Sequence, residues 1–200
     1  MAATTALDGK LADIARSGAA PRLLLHCCCA PCASYVLEYL SPFFLITAFY
    51  YNPNIMPREE HDRRAGEFQK LLSRADYPNR VEMVVAGHDP GAFEQAASRY
   101  GGEPEGGLRC RACFDLRLEG TAKRAASLGF DYFATTLSVS PHKDAALLNE
   151  IGDRLAVTYG VKHLRSDFKK RDGFLRSVEL SKEYGLYRQS YCGCAASIIV

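Results

Sequence analysis

No stretch of this 200-residue chain approaches the roughly 20 consecutive apolar residues that a membrane-spanning helix requires. A secretory signal is missing as well, because Met1–Ala20 scatters Asp8, Lys10, Asp13 and Arg16 among small residues and has no apolar h-region. That stretch is expected to be a frayed helical extension of residues 1–20, ahead of a single domain over residues 21–200. Excess charge is also lacking. The 25 Lys and Arg against 23 Asp and Glu leave +2, too little on its own to argue for nucleic acid. There is no internal repeat and no low-complexity segment. What remains is an ordinary globular composition, 48% hydrophobic and 24% charged, in a chain large enough to bury a core. Without export, a cytoplasmic location is expected, with thiols kept reduced for metal binding or catalysis and not spent on a disulfide framework.

Cysteine is what the chain has in quantity and in pattern. All eight fall in three short knots: Cys27-Cys28-Cys29 with Cys32, then Cys110-x-x-Cys113, then Cys192-Gly193-Cys194. Adjacent thiols are a poor way to build a core and a good way to aim several soft ligands at one point. Knots this far apart in sequence imply that folding brings them together around one metal or redox centre.

Apolar and β-branched runs recur at Arg22–His26, Phe43–Tyr51, Val81–Val85, Asp131–Leu137 and Val161–Leu164, with helical stretches between them. Helix starts are marked by Pro31, by Asn54-x-x-Pro57 and by Ser140-Pro141, and helix stops by Gly129 and Gly160. Gly101-Gly102 to Gly106-Gly107 reads as a flexible loop leading to the second knot. Alternating strand and helix predicts an α/β fold, a doubly wound, Rossmann-like parallel sheet covered on both faces. In that architecture ligands bind outside the carboxyl ends of the strands, where Cys27–Cys32 follow the first strand. A helix N-terminus beside them should lower thiol pKa values and favour metal ligation. The glycine-rich phosphate loop is missing at this place, which argues against a sulfur-inserting ATP enzyme.

Two Cys-x-x-Cys-like pairs commonly make a structural zinc site, but here there are too many thiols for one tetrahedral ion. An iron–sulfur cluster takes four thiolates and tolerates varied spacing. A thioredoxin-like role for Cys110 and Cys113 is weaker, since that motif should open a helix directly after the first strand. A disulfide across the single residue of Cys192-Gly193-Cys194 would close a small, strained, easily reduced ring, so the pair suits two-electron storage or a second metal.

His26-Cys-Cys-Cys-Ala-Pro-Cys32, Tyr51-Asn-Pro-Asn54, Arg109-Cys-Arg-Ala-Cys-Phe-Asp-Leu-Arg-Leu118, Ala134-Thr-Thr-Leu-Ser-Val-Ser-Pro-His-Lys143 and Tyr187-Arg-Gln-Ser-Tyr-Cys-Gly-Cys194 together resemble the QueH-type epoxyqueuosine reductases. The matching segments run from about Leu23 to Ser197 in the family's order. The resemblance implies a tRNA-modifying oxidoreductase that reduces the epoxide of a modified wobble base, the last step of queuosine formation. It implies a 4Fe–4S cluster on Cys28, Cys29, Cys110 and Cys113. It also implies a redox-active Cys192 and Cys194 pair near a second metal position, and it leaves Cys27 as a buried neighbour. The runner-up is a non-catalytic, zinc-binding nucleic-acid module.

Opening an epoxide to an alkene takes two electrons and two protons, and the oxygen needs a Lewis acid or a proton donor. Cys32, Cys192 and Cys194 are the remaining thiols for an additional mononuclear iron. Asp115 is the carboxylate expected beside them as a ligand or acid, against a plainer reading as a first-turn helix acid. His26 is expected in the core and His142 at a helix start facing a phosphate or substrate, while His61, His88 and His163 read as surface or loop residues. Tyr50, Tyr51, Tyr187 and Tyr191 are candidates for stacking on a base. The expected partners are the anticodon stem-loop of a tRNA and an unidentified electron donor. Candidate grips on the RNA are Arg58, Arg63 and Arg64, with Arg165, Lys169, Lys170 and Arg171.

Overall fold

The computed structural model describes residues 6–197. Five strands, β1 (Arg22–His26), β2 (Leu45–Tyr50), β3 (Val81–Val85), β4 (Tyr132–Thr135) and β5 (Lys162–His163), form one sheet in the order β3-β2-β1-β4-β5. Every pairing is parallel, with Leu24 opposite Thr47 on one side and Phe133 on the other. The expected doubly wound α/β fold is therefore the fold observed. β1 is central because Leu23, Leu24 and Leu25 are all fully buried, as a strand with both faces covered must be.

Alternation along β1 divides the core. Leu23 and Leu25 enter a cluster shared with α1 (Ala6–Ser17), α2 (Ala30–Leu40), α3 (Arg58–Arg74) and α7 (Gly173–Glu183). Leu24 points the other way, into a cluster with α5 (Leu108–Ser127) and α6 (Ala145–Tyr159). The remaining helix, α4 (Pro90–Ala97), packs on α5.

Three sequence expectations change here. The N-terminal helix is not frayed across its described residues. Leu7, Leu11 and Ile14 recur at helical spacing and dock α1 on the core, and Asp8 accepts from Tyr39 Oη at 2.7 Å. The fourth apolar run gives a shorter strand than expected, since Thr135 Oγ1 accepts from Leu137 N at 3.1 Å and turns Thr136–Val139 into a 3-10 helix. Helix α6 starts at Ala145 and not at Ser140-Pro141. Asp144 is its N-cap, accepting from Ala146 N at 2.8 Å and Leu147 N at 3.2 Å. The expected stops hold: Gly129 and Gly160 adopt φ of 66° and 67°, a backbone region that glycine enters without steric cost.

Candidate metal and redox site

The first knot lies where β1 ends, at the point where the chain's strand order reverses from β2 and β3 on one side to β4 and β5 on the other. Cys29 is the N-cap residue of α2, Pro31 sits in its first turn, and Cys32 follows on the helix. The sulfurs of Cys28, Cys29 and Cys32 lie within 4.8 Å of one another, and those of Cys28 and Cys29 are 3.7 Å apart. Cys27 is fully buried, and its thiol donates to Leu25 O at 3.3 Å, which takes it out of the group. The second knot opens α5, where Gly106 N donates to Cys110 Sγ at 3.2 Å.

Two cavities join the knots. The larger, about 350 Å³, is lined by Cys28, Cys32 and Cys192 together with Arg117, Lys143 and Tyr191. The smaller, about 20 Å³, is lined by Cys110, Cys113, Cys192 and Cys194. Cys192 borders both. Asn54 and Arg109 also line the smaller cavity, and Asn54 Oδ1 and Arg109 Nε are buried without a hydrogen-bond partner. Six thiols line these two cavities, with Cys29 beside Cys28, and two residues carrying orphaned polar atoms line the smaller; that set suits a thiolate-bound metal group larger than one tetrahedral ion.

The third knot is held by bonds from α3. Arg64 is buried and paired with Glu60 at 2.6 Å, and its guanidinium donates to Cys192 O at 2.9 Å and Tyr191 O at 3.4 Å. Met56 N donates to Gly193 O at 2.8 Å, and Gly193 N donates to Ser197 Oγ at 3.1 Å. Gly193 has φ of 121°, which only glycine accepts readily.

A buried polar network links the first two knots. Arg117, four residues after Cys113 on α5, is 1% exposed. Its Nη1 donates to Cys113 Sγ at 3.8 Å, Nη2 to Asn52 Oδ1 at 2.6 Å, and Nε to His26 Nε2 at 3.3 Å. Asn52 in turn donates to Cys27 O at 2.9 Å. Facing a guanidinium, His26 Nε2 must present its lone pair. The tautomer is therefore the one with the proton on Nδ1, donated to Thr135 Oγ1 at 2.8 Å. Tyr51 O, 3.1 Å from Nε2, then receives no proton from this ring.

Charge is distributed unevenly over the sulfurs. Hydrogen bonds from Cys29 and Cys32 hold the Cys28 thiol well below its ordinary pKa; burial opposes this, and Arg117 and Lys143 assist. Bonds to Cys28 and Cys29 push Cys32 up, and Cys29 rises chiefly through its bond to Cys28. Burial raises Cys110, and it pushes Cys113 up to about 11. Within the first knot only Cys28 is lowered, and the cause is hydrogen bonds from neighbouring thiols with Arg117 and Lys143, not the helix N-terminus that the sequence suggested. Burial disfavours the charge on Lys143, but the thiols of Cys192, Cys28 and Cys32 outweigh it and raise that pKa. Burial, then Arg117, lowers His26 to about 3.

The family model described as QueH, epoxyqueuosine reductase QueH, matches residues 23–199. The epoxyqueuosine reductase QueH of Streptococcus pyogenes serotype M1 is 47% identical over 176 residues, which cover 87% of this chain and 69% of that protein. The protein of that name from Staphylococcus epidermidis is 44% identical over 185 residues, 90% of this chain and 77% of its own length. The one from Thermotoga maritima is 34% identical over 180 residues, 88% and 90%. This chain belongs to the QueH family. As a member of a family of reductases it is an oxidoreductase.

Within this QueH chain, several candidate residues stand elsewhere than their sequence suggested. Asp115 is in the interior of α5 and not in its first turn; its carboxylate accepts from Arg154 of α6 and lines neither cavity. His26 is in the core, as expected. His61 and His163 are not surface residues: His61 is 3% exposed, with its ring tilted against that of His88 at a centroid distance of 4.4 Å, and the His163 ring is hydrogen-bonded to Asp153 at 2.9 Å. His142 is exposed at the mouth of the larger cavity, ahead of α6 and not in it. Tyr191 lines that cavity, whereas Tyr51 stacks on Phe49 and packs against Gly120.

The basic residues are largely occupied. Arg64 is buried, Arg63 lies over the Tyr187 ring, Arg58 pairs with Asp62, Arg165 with Asp153 and Arg171 with Asp8. Lys169 donates to Ser138 O and Lys143 O and pairs with Asp167. Arg117, Asn52 and Thr136, whose Oγ1 is 3.7 Å from Cys28 Sγ, were not singled out from sequence. Helical spacing was the available signal for Arg117, because residues 113 and 117 share one face of a helix. Among the described residues no helix is long and apolar enough to cross a membrane.

Proposed function

We propose that this chain reduces epoxyqueuosine in tRNA to queuosine, with a 4Fe–4S cluster on Cys28, Cys29, Cys110 and Cys113 and a redox or second-iron position at Cys32, Cys192 and Cys194. Supporting this reading are the family and, above all, the convergence of three distant cysteine knots on two cavities that share Cys192. A cluster of this kind supplies single electrons. The net change is two electrons and two protons added to the epoxide, with its oxygen leaving as water and a carbon–carbon double bond formed.

The chain's own residues supply the rest. The larger cavity has room for a small ring, and Tyr191 offers it an aromatic face. Lys143 brings a cation to the same wall and can hold developing negative charge on the departing oxygen. Arg117 and Asn52 fix the two inner knots relative to each other. Asp115, committed to Arg154, is left as a tie between helices. The electron donor is a separate protein or small reductant that the chain does not contain.

The test is purification without oxygen, iron and sulfide analysis, and an assay on tRNA bearing epoxyqueuosine. Brown protein that forms queuosine is expected, with Cys110→Ser and Cys29→Ser pale and inactive and Cys194→Ala brown and inactive. Colourless protein with bound zinc and no turnover would favour a structural zinc module instead.

A further inference from the structure

Arg117 is a fully buried cation with no acid. Its three hydrogen-bond partners are an amide oxygen, an imidazole nitrogen and a thiol sulfur, and among the described residues no carboxylate pairs with it. Arg64 at this site has Glu60 for that purpose, and Arg109, beside the smaller cavity, gives its guanidinium to the carbonyls of Gly101 and Glu103. A buried guanidinium cannot shed its proton, and leaving its charge uncompensated is costly, as it is for any lone buried ion. Lys143 is the same case in weaker form. It lines the larger cavity beside Arg117, and no carboxylate among the described residues pairs with it. Glu105 also lines this cavity but pairs with neither cation, and the negative charge that stabilises both is that of the thiols around them. The chain therefore builds two fixed cations into the wall of its thiol site.

We propose that Arg117, together with Lys143, sets the reduction potential of the site, acting as a positioning residue that stabilises the electron-rich state. This rests on the reading that the thiols hold an iron–sulfur cluster. An added electron increases the negative charge next to Arg117 and Lys143, and in a medium of low dielectric a nearby fixed cation favours that increase. The Nη1–H donated to Cys113 Sγ acts in the same sense, since hydrogen bonds to cluster sulfurs and net charge are what tune such potentials. Asn52 and His26 make the arrangement rigid. They hold the other two edges of the guanidinium, so the fork cannot swing away from the sulfur.

The experiment uses anaerobically purified protein. Iron and sulfide are measured first, and the midpoint potential is then read by visible absorbance and electron paramagnetic resonance during stepwise reduction with dithionite. Arg117→Met should load iron and sulfide as the parent does and become harder to reduce by at least tenfold, about 59 mV for a one-electron couple. Arg117→Lys keeps the charge without the fork and should recover most of that shift. Lys143→Met, at the more open edge of the cavity, should move the potential in the same direction without touching the Arg117 network. Loaded Arg117→Met or Lys143→Met with the parent's potential would overturn the inference alone. Parent protein without iron and sulfide would overturn the proposed function, and this inference with it.

Discussion

Replacing Gly193 by alanine should release the Cys192–Cys194 loop from α3 without unfolding the sheet. At φ of 121° an alanine is strained, and an added Cβ would sit 2.9 Å from Ile55 Cγ1 and 3.1 Å from Arg64 Nη1. Backbone strain of this kind costs about 1–3 kcal/mol, and overpacking costs about 1–3 kcal/mol more. Against that total stand the bonds that hold the loop: Met56 N to Gly193 O, Gly193 N to Ser197 Oγ, and the Arg64 guanidinium to two carbonyls. Neutral bonds contribute roughly 0.5–1.5 kcal/mol each and charged ones about 1.5–3. Strain and restraint are thus of similar size, while the sheet core is untouched, so the loop yields first. A shift of about 2 kcal/mol in local opening is close to thirtyfold. The Met56 amide reports it from outside the loop: its hydrogen exchange in Gly193→Ala should accelerate by about that factor, while Tm falls by less than about 10 °C. Unchanged Met56 protection together with an unchanged Tm would refute the argument.

Asn52→Leu leaves Arg117 Nη2 and Cys27 O without partners and should lower stability by about 2–4 kcal/mol in urea; a midpoint equal to the parent's would contradict the network. Asp115→Asn removes a half-exposed ion pair and should cost under about 1 kcal/mol with turnover intact, whereas loss of turnover with iron retained would make the carboxylate part of the site. Stability should also depend on pH through His26. Its folded pKa of about 3 lies below the ordinary 6.5, so the neutral ring's contribution is complete above pH 6.5 and is lost as pH falls toward 3. Denaturation midpoints between pH 7 and 4 should show that decline, and it should be shallower in His26→Gln.

Periodicity and punctuation made the fold legible. Arg22–His26 and Val81–Val85 read as strands from their apolar runs and are strands, and the glycines at 129 and 160 stop helices for the backbone reason assigned to them. The start of α6 was misplaced because Asp144, three residues after Pro141, competes for the cap and has the geometry to win. The convergence of the knots followed from spacing alone. Which thiols face which cavity did not, because it depends on how α5 and the Cys192–Cys194 loop pack. Arg117 is not legible in the sequence for a related reason. A lone arginine on a helix normally faces water, and nothing local to residue 117 says that Asn52, His26 and Cys113 will enclose it.

The acids that occupy the basic residues have a consequence for any RNA bound there. Of the seven cations considered as grips, Arg58, Arg64, Arg165, Lys169 and Arg171 already hold a carboxylate. A phosphate arriving at such a residue displaces an acid and leaves that acid to gather its own counterion. The exchange releases fewer ions into solution than a contact with a free lysine does. Affinity for RNA would therefore fall with added salt along a shallower line than a count of lysines and arginines implies.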